Sequence, residues 1–368
     1  MKILFYTNIP SPYRISFFNE LGKHCELTVL FETGNSTERN DAWNEYKFET
    51  FKGVILKGIR TRTDSSFCPQ IVSYLKKNRY DHIVVTQVAS LTAILAALYM
   101  NLCHIPYCYE GDGGFVGNTK GVKAAIKRFI IGNSEYCLST SKSFDEYCTA
   151  YGAKKEKIYR YPFTSIEEKD LLEKPVTKTQ KLVLRKELNI EEEKIFLSVG
   201  QFIYRKGFDL LMEMSRSLPK NVGIYIVGGT PTEEYLEMKK KWDLKQVHFV
   251  DFMKKDQLFR YYQAADAFVL PTREDIWGLV VNEAMANGLP VISTDRCAAA
   301  LEMVRPGENG YIVPINDVLE LRKAVKHFLE STERCDSMAE NALKTVSENY
   351  TIENMVREHI RIFEKELG

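Results

Sequence analysis

The sequence lacks a membrane-length apolar stretch, closely paired cysteines and a large net charge. Its most apolar later run, residues 88–100, falls short of the ~20 residues needed to cross a bilayer and is predicted to form a buried helix. No two of the eight cysteines show the C-x-x-C spacing of common zinc or redox ligands. We therefore expect reduced core thiols in a cytoplasmic protein.

The near-absence of net charge argues against nucleic acid as a partner. Lys and Arg number 50 and Asp and Glu 49, so no global field would hold a polyanion. The balance is uneven along the chain: residues 1–165 have 21 basic and 15 acidic residues, a net charge of +6, and the remaining residues have 29 and 34, a net charge of −5. The basic half is expected to face something anionic.

Length and strand pattern predict an α/β protein with two doubly wound domains. The 368 residues exceed the usual ~100 to 200 of one domain. Short β-rich runs alternate with helix-length segments in residues 1–165 and again in residues 195–350, as in parallel sheets covered on both faces. Residues 166–194 are expected to form a linker and a surface helix, and residues 351–368 a capped helix that packs back on the first domain. Ligands of two such domains are expected in a cleft between them.

The densest motif lies in residues 271–290, where a predicted strand leads through an acidic loop into a helix that begins near Gly278. Amides at a helix N-terminus and the positive end of its dipole are suited to phosphate. Asp275, with Glu274 beside it, precedes this helix, and Glu283 lies about a turn and a half inside it. Carboxylates accept hydrogen bonds from vicinal hydroxyls, so the motif favours a nucleotide-sugar. A solvated acidic loop with an exposed helix charge is the alternative.

A second motif follows the predicted strand of residues 195–200. Its loop has Gly200 and Gly207 at its ends and carries two adjacent cations, Arg205 and Lys206. Cations at the carboxyl end of a strand can neutralise the charge that grows on a leaving diphosphate. Taken alone, an Arg-Lys pair on a loop is more commonly just solvated.

Together the two motifs resemble the family-4 retaining glycosyltransferases of the GT-B fold, over nearly the whole chain. The resemblance implies two Rossmann-like domains facing each other across a cleft, and transfer of a sugar from a UDP- or GDP-sugar to a glycan or lipid-linked acceptor in polysaccharide or glycolipid assembly. It also implies retention of the anomeric configuration and no metal or other cofactor. Lys206 matches the family's lysine and Glu283 its second carboxylate.

Two positions depart from the family pattern. Asp275 stands where the first carboxylate is usually Glu, so either Asp275 or Glu274 is a candidate for the donor sugar. Gln201 replaces the usual arginine, and Arg205 is a candidate to replace its charge. The predicted catalytic set is Lys206, Arg205, Asp275 and Glu274. The predicted nucleotide-binding set is Glu283, Gly278, Leu279, Val280, Gly200, Phe252 and Met253.

The N-terminal half offers candidates for the acceptor side. Tyr13 and Arg14 follow the first strand after a pair of prolines, and Glu110 and Asp112 follow a later strand. The family often has a histidine in this second region, and none of the six histidines falls there in the sequence. A proline-punctuated turn with a surface arginine is the alternative for Tyr13 and Arg14.

Residues 120–131 are predicted to form a cationic amphipathic helix, with Lys at 120, 123 and 127. Such a helix can lie on the anionic inner face of a membrane, which would make the protein peripheral. A helix packed on its own sheet gives a similar pattern. Two rival functions also remain: a sugar-nucleotide 2-epimerase of similar fold, and a non-catalytic nucleotide-sugar-binding subunit.

Overall fold

The computed structural model describes residues 1–34, 46–76, 79–330 and 332–367. The chain divides into two compact units, one formed by residues 1–167 with residues 351–368 and the other by residues 168–350. Each unit is built around one parallel sheet. Within the described residues, no helix is both long and apolar enough to span a membrane.

The first unit contains a seven-stranded parallel sheet in the order β3-β2-β1-β6-β7-β8-β9 and a separate antiparallel hairpin, β4-β5. The central strand β1 forms because five of its six residues are buried and can pair on both edges. The strands are β1 (Lys2–Thr7), β2 (Glu26–Phe31), β3 (Lys52–Ile55), β4 (Ile59–Arg62), β5 (Ser65–Phe67), β6 (His82–Val85), β7 (Cys108–Glu110), β8 (Cys137–Ser139) and β9 (Ile158–Arg160). The helices are α1 (Pro12–Leu21), α2 (Leu91–Leu102), α3 (Val122–Gly132) and α4 (Lys142–Ala150).

The second unit contains a six-stranded parallel sheet in the order β12-β11-β10-β13-β14-β15. This is the doubly wound order, in which the winding direction reverses between β10 and β13. The strands are β10 (Lys194–Val199), β11 (Val222–Val227), β12 (Val247–Val250), β13 (Ala267–Leu270), β14 (Val291–Thr294) and β15 (Gly310–Val313). The helices are α5 (Lys178–Glu187), α6 (Phe208–Ser215), α7 (Glu233–Lys241), α8 (Lys255–Ala264), α9 (Leu279–Ala286), α10 (Ala298–Met303), α11 (Val318–Glu330) and α12 (Thr332–Asn349).

Residues 168–194 group with the second unit by contact. Their helix α5 is fixed by Arg185, which donates to the Ala264 carbonyl at 2.9 Å and to Asp266 at 2.8 Å. The segment therefore continues the second unit through a buried guanidinium.

The last helix, α13 (Ile352–Leu367), packs on the first unit. Its N-terminus is capped by Thr351, whose hydroxyl accepts from the Asn354 amide at 3.2 Å. Its apolar side reaches β1 and β6, where Phe363 stacks on His82 with ring centroids 4.8 Å apart.

Helix α2 differs from the sequence expectation. Residues 88–100 were expected to be buried, yet Leu91 is 53% and Leu98 45% exposed. The small side chains of Ala93 and Ala96 face the core instead. A run without charged residues predicts a buried helix, but only one side of this helix is covered.

Candidate functional site

The two loops predicted to carry the chemistry follow β10 and β13, the strands between which the sheet of the second unit reverses. The first loop ends in a single helical turn, Tyr204–Lys206, and then Gly207 at φ +70°. A Cβ at Gly207 would lie 2.0 Å from the Pro271 carbonyl oxygen. Only glycine therefore allows the two loops to approach this closely.

This approach brings Lys206 and Asp275 into an ion pair. Lys206 Nζ lies 2.6 Å from Asp275 Oδ2, and Arg205 Nη1 lies 3.4 Å from Asp275 Oδ1. The Lys206 and Asp275 side chains are 12% and 10% exposed, whereas that of Arg205 is 44% exposed. Two cations thus converge on one largely buried carboxylate.

The neighbouring Glu274 has a different environment. Its side chain is 44% exposed and forms an ion pair with Arg296. Its carbonyl oxygen accepts from Arg205 Nη1 at 2.6 Å. Of the two adjacent carboxylates, Asp275 is therefore the one directed at Lys206.

The helix that the sequence predicts to begin near Gly278 is α9. Helix α9 begins after Gly278, which has φ +103°, and a Cβ there would lie 2.9 Å from Cys297 Sγ. The amides of Leu279 and Val280 belong to the first turn, where a helix supplies no acceptors of its own. Trp277, buried beneath this turn, donates from Nε1 to Asn282 at 2.8 Å and fixes it.

Glu283 lies further along α9 and is half-buried. Burial raises its pKa from 4.5 to about 7, against the hydrogen bond donated by Tyr262 Oη at 3.0 Å and the charges of Lys255 and Lys206. Asp170 adds a further increase. This carboxylate is therefore only partly ionised at neutral pH and retains acceptor capacity.

Contacts of Arg273 and Thr272, which the sequence did not reveal, hold the two loops together. We call this set of contacts the latch. Arg273 donates to both Asp209 carboxylate oxygens at 2.9 and 2.6 Å and to the Tyr204 carbonyl at 2.7 Å. Its guanidinium also lies 3.9 Å from the centre of the Tyr204 ring. Thr272 Oγ1 and the Arg273 amide donate to the Arg205 carbonyl, each at 2.8 Å. These contacts fix the backbone that carries Lys206.

The remaining predicted nucleotide-binding residues lie at other strand ends. Gly200 follows β10, and a Cβ there would lie 3.1 Å from the Lys206 side chain. Phe252 and Met253 follow β12, and Phe252 is 46% exposed, which is consistent with a surface residue rather than core.

In the first unit, the predicted acceptor-side residues form one charged cluster. Arg14 forms ion pairs with Glu110 and Asp112, and Tyr13 Oη donates to Asp112 at 2.7 Å. Arg14 is only 3% exposed, so the alternative of a surface arginine is wrong. His359 of α13 reaches Glu110 with Nε2 3.3 Å from Oε2. A histidine thus does approach this region, from a helix that lies about 250 residues away in the chain.

Glu110 is fully buried and is a stable anion. Burial would raise its pKa, but the Arg14 charge and the hydrogen bond with His359 lower it to about 2. Tyr161 Oη also donates to it at 3.4 Å. Because protein groups already saturate Glu110, the accessible members of the cluster are Tyr13 and Asp112, both half-buried.

The predicted amphipathic helix coincides with α3. Its apolar residues Ile130 and Ile131 are buried, and Ile126 packs against the same core as α2. Lys127 Nζ lies 4.9 Å from the ring centres of Tyr147 and Tyr151. The apolar side of this helix therefore packs on its own unit.

Among the residues that the structure describes, no group of three or more His, Cys, Asp or Glu is arranged to hold a metal ion.

Known proteins are similar to this chain in sequence and fold. Residues 180–345 match the family model for glycosyl transferases group 1. The chain is 25% identical to an uncharacterised glycosyltransferase of Methanocaldococcus jannaschii over 74% of this chain and 73% of that protein. It is 26% identical to the N,N'-diacetylbacillosaminyl-diphospho-undecaprenol alpha-1,3-N-acetylgalactosaminyltransferase of Campylobacter jejuni, over 68% and 67%. Its fold is similar to that of Anabaena HepE solved with UDP, with a TM-score of 0.80 at 16% identity, over 99% of this chain and 100% of HepE. HepE has also been solved with UDP-glucose.

Two Rossmann-like units with this structural similarity define a protein of the GT-B class. The family match and the named relatives support a group 1 glycosyltransferase. The expected fold and the expected glycosyltransferase function are confirmed. Membership of family 4 stays a prediction.

Proposed function

We propose that the protein transfers a sugar from a UDP- or GDP-sugar to a hydroxyl group of a glycan or lipid-linked acceptor, with retention and without a metal. One observation carries this proposal: Lys206 and Asp275 meet directly before the N-terminus of α9. Two amides, the helix dipole and an ammonium group would together bind a diphosphate. The HepE complexes support the donor class, and the Campylobacter relative supports a lipid-linked acceptor. Use of such a donor implies a cytoplasmic site of action.

In the proposed mechanism, donor binding breaks the ion pair of Lys206 and Asp275, and each side chain then contacts the donor. Lys206 and Arg205 turn from Asp275 to the diphosphate, whose negative charge grows as it leaves. Asp275 then accepts hydrogen bonds from the sugar, and Glu283 from the ribose. The bond between the anomeric carbon and the diphosphate oxygen breaks, the acceptor oxygen bonds to that carbon on the same face, and the acceptor proton passes to the diphosphate. No protein nucleophile is needed.

Donor turnover tests this proposal without knowledge of the acceptor. UDP- and GDP-sugars would first be screened by thermal shift, because a ligand of the folded state raises its stability. The best donor would then be followed for nucleotide release, with water or membrane extract as acceptor. We expect Lys206→Ala to lower release by about 10²- to 10³-fold with the fold retained.

The matched control is Lys245→Ala, because the Lys245 side chain lies in the same unit and is 86% exposed. Equal turnover in the Lys206 and Lys245 variants would contradict the proposed role. An isomerised donor sugar without transfer would indicate an epimerase. Stabilisation by a donor that is never consumed would indicate a binding subunit.

A further inference from the structure

Helix α2 buries mostly small side chains and exposes three leucines. Ala96 and Ala97 are buried, whereas Leu91, Leu98 and Leu102 are 53%, 45% and 78% exposed. At about 100° per residue, the three leucines lie within about 40° of one another around the helix. We call them the leucine stripe. A helix that is apolar on every side is normally covered on every side, so the stripe requires a partner outside its own unit.

The surroundings of the leucine stripe are cationic. Helix α2 packs against α3 and against the short turn Pro69–Ser73. Exposed basic side chains on or beside these neighbours are Lys76, Lys120, Lys123 and Arg128. They belong to the half of the sequence with a net charge of +6.

Acidic residues are missing from the same segments. Residues 69–76, 91–102 and 117–133 contain no Asp or Glu. An apolar strip on a helix whose neighbouring segments have basic and no acidic side chains is complementary to a surface that has an apolar interior and anionic groups at its boundary. A bilayer with anionic headgroups has that chemistry.

We infer that the leucine stripe binds an anionic lipid bilayer, with its leucines entering the boundary between headgroups and acyl chains. The neighbouring cations bind the headgroups. This assigns the apolar contact to α2 and leaves to α3 an electrostatic role, because the apolar side of α3 lies in the core. A second copy is a poorer occupant, since two-fold pairing through α2 would place the same cations opposite each other.

Vesicle flotation with the full chain tests this inference. We expect binding to vesicles of phosphatidylglycerol and phosphatidylethanolamine, and at least tenfold less binding to pure phosphatidylcholine. The double variant Leu98→Glu, Leu102→Glu should lose at least tenfold of the bound fraction. The matched control is Leu319→Glu, because Leu319 is 64% exposed on α11 of the other unit. It should bind like the unmodified protein.

A second measurement needs no substitution in the stripe. Cys103 directly follows α2 and is exposed, whereas Cys25 and Cys335 are half-buried. In a Cys25→Ser, Cys335→Ser background, an environment-sensitive fluorophore on Cys103 should shift to the blue on phosphatidylglycerol vesicles and not on phosphatidylcholine. The absence of both flotation and this shift would overturn the inference. A concentration-dependent dimer that the double Glu variant abolishes, without vesicle binding, would also overturn it in favour of a second copy.

Vesicle binding and sugar transfer can fail separately. Binding is measured without donor, and donor turnover in water is measured without vesicles. Loss of one with retention of the other shows which of the two proposals is wrong.

Discussion

Each unit of the protein holds a glutamate that burial withdraws from water, and the two differ in what compensates the charge. Glu110 in the first unit is fully buried against the Arg14 guanidinium, and its pKa falls to about 2. Glu283 in the second unit is half-buried and accepts from the neutral Tyr262 hydroxyl, and its pKa rises to about 7. Opposite shifts of two carboxylates indicate opposite tasks.

The difference separates a carboxylate whose charge is compensated within the fold from one that keeps acceptor capacity for the proposed donor. Glu110 ties α1, β7 and α13 together through Arg14 and His359, so its charge is already satisfied. Glu283 bears the cost of desolvation without a hydrogen-bonded cation, and it stays partly accessible. A bound hydroxyl group would supply the donors that this carboxylate can still accept. A carboxylate whose pKa is raised by burial in this way is typical of functional sites.

The largest expected effect is on the stability of the first unit. Arg14→Ala would leave Glu110 buried without its guanidinium partner and with only the longer contacts to His359 and Tyr161, and should lower the free energy of unfolding by about 3–5 kcal/mol. Urea unfolding measures this loss. The control is Arg361→Ala, because the Arg361 side chain is 60% exposed and pairs on the surface, where the cost is about 0.5 kcal/mol or less. A stable Arg14 variant that has lost sugar transfer would instead make Arg14 a substrate-binding residue.

The next effect is an opposite pH dependence of stability at the two glutamates. The lowered pKa of Glu110 contributes stability above pH 4.5 that is lost as pH falls towards 2. The raised pKa of Glu283 works the other way: its contribution favours the folded state below pH 4.5 and is lost as pH rises to about 7. Glu283→Gln should therefore stabilise the protein by about 1–2 kcal/mol at pH 8. Glu110→Gln should destabilise it at the same pH. Thermal unfolding of both variants from pH 5 to 8 measures the direction of each change in stability. If both substitutions shifted stability in the same direction, the proposed difference between the two glutamates would be wrong.

A somewhat smaller effect is expected on donor binding. Ribose hydroxyls donate to ionised Glu283, so affinity for a UDP- or GDP-sugar should fall about tenfold between pH 8 and pH 6. The diphosphate of such a donor does not titrate in this range. Glu283→Gln keeps an acceptor oxygen and loses the titration, so its affinity should be weaker and independent of pH. Calorimetry measures the donor affinity of the unmodified protein and of the Gln variant at each pH. If the affinity of the Gln variant still depended on pH, the pH dependence would belong to another group.

Much of the fold could be predicted from the sequence because its strands are short, apolar and separated by helix-length segments. The strand predicted at residues 195–200, for example, is β10, Lys194–Val199. The strand β3 and the hairpin β4-β5 were missed because they lack the apolar run that marks a buried strand: β3 is partly exposed, and the two buried residues of β5 are serines. The exposed side of α2 was missed because its apolar composition predicts burial. Composition does not show which side of a helix is covered.

At the site, the sequence predicted single positions better than partners. Lys206, Gly278 and the pair Glu274 and Asp275 could be singled out because they follow strand ends and match the family pattern, and their roles stay predictions. The contact of His359 with Glu110 could not be predicted, because nothing local relates a C-terminal helix to β7. The choice between Asp275 and Glu274 likewise needed the position of Arg296, which follows another strand.

The smallest expected effect concerns the latch and sharpens the contrast between the two arginine pairs. The Arg273 side chain is 13% and its partner Asp209 26% exposed, so losing their ion pair should cost about 1–2 kcal/mol of stability, less than losing Arg14. Sugar transfer should nevertheless fall about fivefold in Arg273→Ala, in kcat more than in KM, because the turn that carries Lys206 would lose its bidentate support. Arg273→Lys should restore stability but only part of kcat, since an ammonium group cannot reproduce the planar two-oxygen contact with Asp209. Steady-state kinetics of the two variants separate positioning from folding: a loss of kcat that tracks thermal stability in both would reduce Arg273 to a structural residue.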